Sequence, residues 1–354
     1  MPREPVRVGV LGATGAVGQR FIALLEHHPW LKITALAASE RSAGRRYAEA
    51  CTWRATAACP ASVRDLMVQP LEPDLDCELV FSALPADVAY DVEERFAGAG
   101  YGVHSNASSH RMDEDVPLLI PEVNADHLGL VPIQQRRRGW GKGFIVTDPN
   151  CSTVGMTLAL KPLHDAFGVR RVIVTTLQAL SGAGYPGVSA LDILDNVIPY
   201  IGGEEAKLVA EPRKLLGAFR ADLGRVEPAE MRISPHCNRV ATRDGHLETL
   251  SIEFERRPTV EEAVAALAGF QSLPHSLGCP SAVDPTIMVR TEPDRPQTRV
   301  DRDAGNGMAI TVGRVRPCEV LDLKLVVLSH NTIRGAAGGA ILNAEMMIAR
   351  GMHP

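Results

Sequence analysis

Through residues 1–150, short unbroken apolar runs alternate with stretches of helical spacing. Residues 6–11, 32–38, 79–85 and 144–146 read as buried strands, because none shows the alternation that a half-exposed strand requires. Residues 19–28 and 86–99 read as amphipathic helices between them. Strands that recur with helices in between predict an α/β fold with a Rossmann-type, doubly wound parallel sheet. Beyond residue 151 the texture changes. A helical stretch (154–167) leads into a long β-rich run (172–180), and a helix-forming stretch runs through 194. A polar helix follows from Glu204, then β-prone runs at 237–243 and 247–254. A last strand (321–328) precedes an alanine- and methionine-rich helix through 350. This mixture predicts a second, α+β domain. The expected division is 1–149 for the first domain and 150–330 for the second, with 331–354 packing back on the first. The basic stretch within 128–143, with Arg136 at its centre, reads as a solvated loop.

Two domains also suit the length, since 354 residues exceed one ordinary core. Apolar residues at 45% and charged residues at 22% describe a globular enzyme. A net charge of −5 supplies no basic field for nucleic acid. No apolar run approaches the length of a membrane span, so neither nucleic acid nor membrane is an expected partner. The chain goes almost at once into a strand rather than a signal peptide. Seven cysteines without a Cys-x-x-Cys pair argue against a disulfide framework and a structural zinc site. A reducing cytoplasm and no metal are the expectations.

Candidate chemistry then falls on particular turns. Cys151 stands between the 144–146 strand and the 154–167 helix, beside the first free N–H groups of that helix. Those groups and the helix dipole favour an anion, so the thiol is expected to ionise more easily than a free cysteine. A thiolate there is a nucleophile for a carbonyl. Gly12-Ala13-Thr14-Gly15-Ala16-Val17-Gly18 joins the first strand to the first helix. Glycines in that place let a backbone approach a pyrophosphate. At the end of the second strand, where an acidic residue would hold a ribose hydroxyl, stand Ser39, Arg41 and Ser42 beside Glu40. Hydroxyls and arginines suit a 2′-phosphate, which favours NADP over NAD. Ser82, Ala83 and Leu84 end another strand as a small edge for a ribose or nicotinamide. Asp244-Gly245 reads as a two-residue hairpin turn, putting Arg239 and His246 on one face about 13 Å apart at the backbone. Together they make a carboxylate anchor and an acid/base. Glu204 and Lys207 share a helix face, which on spacing alone is a solvated ion pair.

The chain resembles the aspartate-semialdehyde dehydrogenases of the archaeal and fungal branch. Carrying the resemblance are Gly-Ala-Thr-Gly-Ala-Val-Gly at 12–18, Ser-Asn-Ala-Ser-Ser-His-Arg-Met at 105–112 and Ile-Pro-Glu-Val-Asn at 120–124. Pro-Asn-Cys-Ser-Thr at 149–153, Gln-Ala-Leu-Ser-Gly-Ala-Gly-Tyr-Pro-Gly at 178–187 and Ile-Gly-Gly-Glu-Glu-Ala-Lys at 201–207 follow. Cys-Asn-Arg-Val with Asp-Gly-His at 237–246 and Asn-Thr-Ile-Arg-Gly-Ala-Ala-Gly-Gly at 331–339 complete the set. The resemblance implies NADPH-dependent conversion of L-aspartyl-4-phosphate to aspartate semialdehyde and phosphate, in amino-acid biosynthesis. Cys151 would be the nucleophile, His246 the acid/base, Gln178 a substrate-orienting amide and Asn150 a group that fixes the cysteine. Arg239 would clamp the substrate carboxylate, Glu204 would meet its ammonium, and Arg111 and Lys207 would hold phosphate. Ser181 and Gly182 join the substrate set. Asn331 joins Gly12, Thr14, Gly15, Ala16, Val17 and the groups named above around the cofactor. A homodimer or homotetramer is implied. Two rival readings stay beside it: a malonyl-CoA reductase, which would give Glu204 no ammonium to meet, and a nucleotide-binding protein without catalysis.

Overall fold

The computed structural model describes residues 4–55 and 58–353; residues 1–3, 56–57 and 354, which fall inside the expected domain bounds, lie outside the described residues. Six strands make the first sheet: β1 (Val6–Leu11), β2 (Leu31–Ala37), β3 (Val68–Gln69), β4 (Leu79–Ser82), β5 (Gly102–Ser105) and β6 (Phe144–Thr147). Their order is β3-β2-β1-β4-β5-β6, and every pairing is parallel. β4, β5 and β6 are buried along their whole length, which is why their sequences do not alternate. The order reverses between β1 and β4, where a parallel sheet opens a crevice at its carboxyl edge. Gly12 and Ala83 face each other across that crevice. A Cβ on Gly12 would stand 2.7 Å from the Ala83 carbonyl oxygen, and Gly12 has φ +75°. Glycine answers both demands.

The second sheet has the order β10-β7-β11-β14-β13-β12. It is built from β7 (Val169–Gln178), β10 (Arg232–Arg239), β11 (His246–Phe254), β12 (Ile287–Arg290), β13 (Ile310–Pro317) and β14 (Leu323–Ser329). A small separate pair, β8 (Ala218–Arg220) and β9 (Arg225–Glu227), lies apart from it. β7 alternates buried and exposed positions along most of its length. One face packs under the helices Cys151–Phe167, Glu204–Leu215 and Val260–Ala268 in a core shared by Leu158, Leu163, Val172, Leu208, Leu250 and Leu267. The C-terminal helix Gly338–Ala349 is buried nearly all round, and its Ile341, Leu342 and Met346 share a core with Val8, Phe21 and Phe81 of the first sheet. A fully buried Arg334–Glu122 pair, two hydrogen bonds of 2.7 and 2.6 Å, fixes the turn that leads into it.

Three sequence expectations change. β10 and β11 do not form a hairpin, because β7 lies between them, parallel to β10 and antiparallel to β11. Asp244-Gly245 does turn the chain, with Gly245 at φ +96°. The connection 240–245 steps over the end of β7, where Leu180 and Ser181 donate backbone hydrogen bonds to the carbonyls of Thr242 and Arg243. The basic stretch is not a loop: Val131–Arg138 is a helix closed by Gly139 in the left-handed conformation. Its Gln134 is buried, and its Arg138 meets Glu94, Asp113 and Asp115, so tertiary partners rather than spacing hold it. The helix expected through 194 shrinks to Ala190–Ile193, within a mostly exposed segment in which Ile193 alone of this turn is buried.

Candidate active site

The helix Cys151–Phe167 begins at the end of β6, and Asn150 caps it. The Asn150 side-chain oxygen accepts hydrogen bonds from the N–H groups of Ser152 (3.0 Å) and Thr153 (3.4 Å). Its amide nitrogen donates to both oxygens of Glu204, at 3.0 and 2.9 Å. Cys151 is the first residue of the helix and is half-buried. Its sulfur lies 3.1 Å from His246 Nε2. Gly335, in the single π-helical turn Ile333–Ala337, presses its backbone on the cysteine: a Cβ there would stand 2.9 Å from Cys151 Cα and Cβ.

Around the thiol the predicted residues converge. Gln178 donates to Glu204 at 3.3 Å, and Lys207 Nζ sits 2.9 Å from Glu204. Glu204 therefore gathers Asn150, Gln178 and Lys207, and the pair with Lys207 is part of a largely buried site rather than a solvated couple. Arg239 Nη1 donates to the Ala179 carbonyl at 2.7 Å. A Cβ at Gly182 would stand 3.0 Å from Arg239 Nη1 and 3.2 Å from His246 Nε2, so bare backbone lies against both groups. The two residues do not lie along one hairpin face: Arg239 ends β10 and His246 begins β11, on either side of β7, and their side chains approach over the end of β7. Arg111 Nη2 donates to the Asn106 carbonyl at 2.8 Å, while its buried Nε has no hydrogen-bond partner within the protein. A buried donor left over beside a site is ready for an anion.

The thiol departs from the sequence expectation. Burial pushes Cys151 up to about 12, and the Glu204 carboxylate adds to that, against Arg111, Arg239 and Lys207. The helix terminus alone does not decide this group, because withdrawal from water acts on the whole charge of the thiolate. Burial likewise holds His246 down to about 3, helped by Arg239 and His330.

On the cofactor side, Gly15 stands ahead of the helix Ala16–Leu25, and no side chain caps it. Its first N–H groups, from Ala16 and Val17, are free for a phosphate, so the turn fits a dinucleotide. Thr14 offers its carbonyl to Gln19. Ser39 follows β2 in a turn, its carbonyl accepting from the Ser42 N–H (2.8 Å), with Ser39 and Arg41 exposed. Ser82 is wholly buried, so only its backbone can serve the crevice formed with Ala83 and Leu84. Asn331 binds the Gly245 N–H (2.8 Å) and Ser181 Oγ (2.8 Å), which ties the turn before His246 to the glycine-rich loop.

Sequence reasoning missed Glu211 and Lys214. Glu211 accepts from Arg111 Nη1 (3.0 Å) and from the Asn150 N–H (2.7 Å). Lys214 Nζ donates to the carbonyls of Arg111, Asp113 and Val116 at 2.8, 2.8 and 2.9 Å, and burial lowers it to about 8. The signal was present, since 204, 207, 211 and 214 follow one helix face.

Comparison with known proteins bears on the whole chain. The family model for the NAD binding domain of semialdehyde dehydrogenases matches residues 7–131, and that for their dimerisation domain matches 160–334. Aspartate-semialdehyde dehydrogenase from Archaeoglobus fulgidus is 55% identical over 342 residues, 96% of this chain and 97% of its own. The crystal structure of the Candida albicans aspartate-semialdehyde dehydrogenase with NADP superposes with a TM-score of 0.91 at 46% identity, covering 99% of this chain and 100% of that one. A Vibrio cholerae aspartate-semialdehyde dehydrogenase II complexed with ASA gives a TM-score of 0.76 at 28% identity over 98% of both chains.

Proposed function

The chain belongs to the aspartate-semialdehyde dehydrogenase family and is an NADP-dependent oxidoreductase of that activity; on that premise, we propose which of its residues perform the reaction. One observation carries the assignment: Cys151 Sγ at 3.1 Å from His246 Nε2, among Gln178, Arg239 and Glu204. Cys151 attacks the acyl carbon of L-aspartyl-4-phosphate, the bond to phosphate breaks, and a thioester forms on the sulfur. Bound NADPH supplies the hydride that takes the thioester to the aldehyde level. Arg239 pairs with the α-carboxylate through its planar fork. Glu204 faces the α-ammonium, which a malonyl group lacks, and this favours the aspartyl substrate over a malonyl thioester. Arg111, through its free Nε, and Lys207 meet the phosphate. Gln178 and Asn150 hold Glu204 and the start of the nucleophile helix, and Ser181 with Gly182 walls the cleft beside His246. Gly12, Thr14, Gly15, Ala16, Val17, Ser82, Ala83, Leu84 and Asn331 line the dinucleotide side, with Ser39, Arg41 and Ser42 at the 2′-phosphate.

We divide the chain at Asn150 into cofactor and catalytic domains, with 331–354 returning to the first. The partner we propose at the exposed apolar segment (Tyr185, Leu191, Leu194, Val197 and Tyr200) is a second copy of the chain. That segment lies within the stretch matched by the dimerisation-domain model. No helix among the described residues is long and apolar enough to cross a membrane. The seven free cysteines suit a reducing cytoplasm. The test is a mass spectrum of enzyme mixed with aspartyl phosphate without NADPH. An aspartyl adduct on Cys151 is the expected result; an adduct mapped elsewhere, or full activity in Cys151→Ala, sinks the assignment.

A further inference from the structure

Arg54, from the first domain, lies over the ring of Tyr185 from the second, its guanidinium carbon 3.7 Å from the ring centroid. Behind Arg54 the chain is bolted to the glycine turn. Gln19, buried in the helix Ala16–Leu25, donates to the carbonyls of Thr14 and Thr52, both at 3.1 Å, and accepts from the Arg54 N–H at 2.7 Å. Tyr47 Oη adds a bond to the Ala13 carbonyl at 2.9 Å. Arg54 is therefore held on the turn that carries the free N–H groups of Ala16 and Val17, and it pairs with no carboxylate among the described residues.

Tyr185 comes from the other end of the site. The glycine-rich loop that carries it starts at Ser181, whose Oγ accepts from Asn331 at 2.8 Å, and at Gly182, which lies against Arg239 and His246. Further out the loop is bare. A Cβ on Gly184 would meet nothing within 4 Å, and one on Gly187 would meet only the Gly184 carbonyl oxygen. The Tyr185 hydroxyl has no hydrogen bond among the described residues, and the residue is 67% exposed. Its contact with Arg54 ties the outer loop to the first domain.

A guanidinium is drawn flat onto an aromatic face by the ring's quadrupole, and stacking leaves its in-plane N–H groups free for an anion. We propose that Arg54 and Tyr185 form a clasp over the cofactor crevice, in which Arg54 aims those N–H groups at the diphosphate of NADP(H) and holds the substrate loop closed on it. The proposal deepens the assignment above and rests on the glycine turn being the seat of the dinucleotide. The clasp joins the phosphate end of the crevice to the loop beside the nucleophile, so cofactor leaves only when the stack parts. It sets residence time and leaves the chemistry at Cys151 untouched. The guanidinium covers one face of a largely exposed ring, which leaves room for the second copy proposed at the same segment.

The experiment is stopped-flow release of NADPH from the full-length enzyme, followed by nicotinamide fluorescence. Tyr185→Ala is expected to speed release about two- to fivefold, the worth of an exposed cation–π contact. Arg54→Ala should speed it at least as much, since it also loses the diphosphate. Tyr185→Phe keeps the ring and should release at the original rate. In the Arg54→Ala background, Tyr185→Ala should add nothing, because the stack is already gone. Effects that multiply in the double variant overturn the clasp, as does an unchanged rate in either alanine variant. Arg41→Ala separates this inference from the reading it rests on. If Arg41→Ala weakens NADPH binding while the clasp variants match the original enzyme, the clasp alone fails. If none of the three alters NADPH binding, the crevice assignment fails with it.

Discussion

Cys151 shows how a single residue can be recognised from sequence and yet mis-assigned in its chemistry. Its place at a strand-to-helix turn marks it as the nucleophile, but the turn predicts an acidic thiol, and burial raises it to about 12 instead. After burial, the charge that opposes ionisation is Glu204, the carboxylate gathered by Asn150, Gln178 and Lys207. The sign follows directly. A raised thiol pKa means the thiolate fraction grows as pH rises towards 12, and removing a negative neighbour moves that rise to lower pH. Glu204→Gln should therefore speed iodoacetamide alkylation of Cys151 in the free enzyme at pH 7–8 by about tenfold, one pKa unit's worth. The same change should impair turnover of the aspartyl substrate. Alkylation that is unchanged or slower would show that Glu204 does not govern the thiol.

At the scale of the element, the helix Glu204–Leu215 does two jobs. Its first turn carries Glu204 and Lys207, proposed above to meet substrate, and its second half holds Arg111, the proposed phosphate-binding arginine, through Glu211 and Lys214. Glu211 also binds the Asn150 N–H, one residue before the nucleophile. Glu211→Ala leaves Arg111 buried without its carboxylate, a change that costs about 3–5 kcal/mol for a buried pair. A lower melting temperature is expected, together with a larger rise in KM for phosphate, assayed in the reverse direction, than for the semialdehyde. If both KM values stay at their original levels, Glu211 is structural only. The face formed by 204, 207, 211 and 214 is legible as a periodicity. Its partners are not, because Arg111 lies about 100 residues away and comes near only through the fold.

At the scale of the whole molecule, the segment between β7 and that helix exposes Leu191 at 91% and Tyr200 at 69%. An apolar stretch of this kind on a monomer marks an interaction surface. If this segment is the proposed surface for a second copy, Leu191→Glu with Leu194→Glu should lower the mass in light scattering relative to the unaltered chain while leaving the circular dichroism intact; an unchanged mass would refute the proposed surface. The sequence by itself determined the parallel sheet, since strands buried on both faces must be apolar throughout. It also determined the glycine turn and the nucleophile, because those depend on neighbours along the chain. Only the tertiary structure decided that β7 lies between β10 and β11, since a strong Asp-Gly turn signal says where a chain reverses but not which strand it then joins. Tertiary structure also made a helix of the basic stretch, through Arg138 and its three carboxylates. It set the protonation of Cys151 and His246 too, for ionisation depends on how far a group is withdrawn from water and which charges surround it, and neither is written in local spacing.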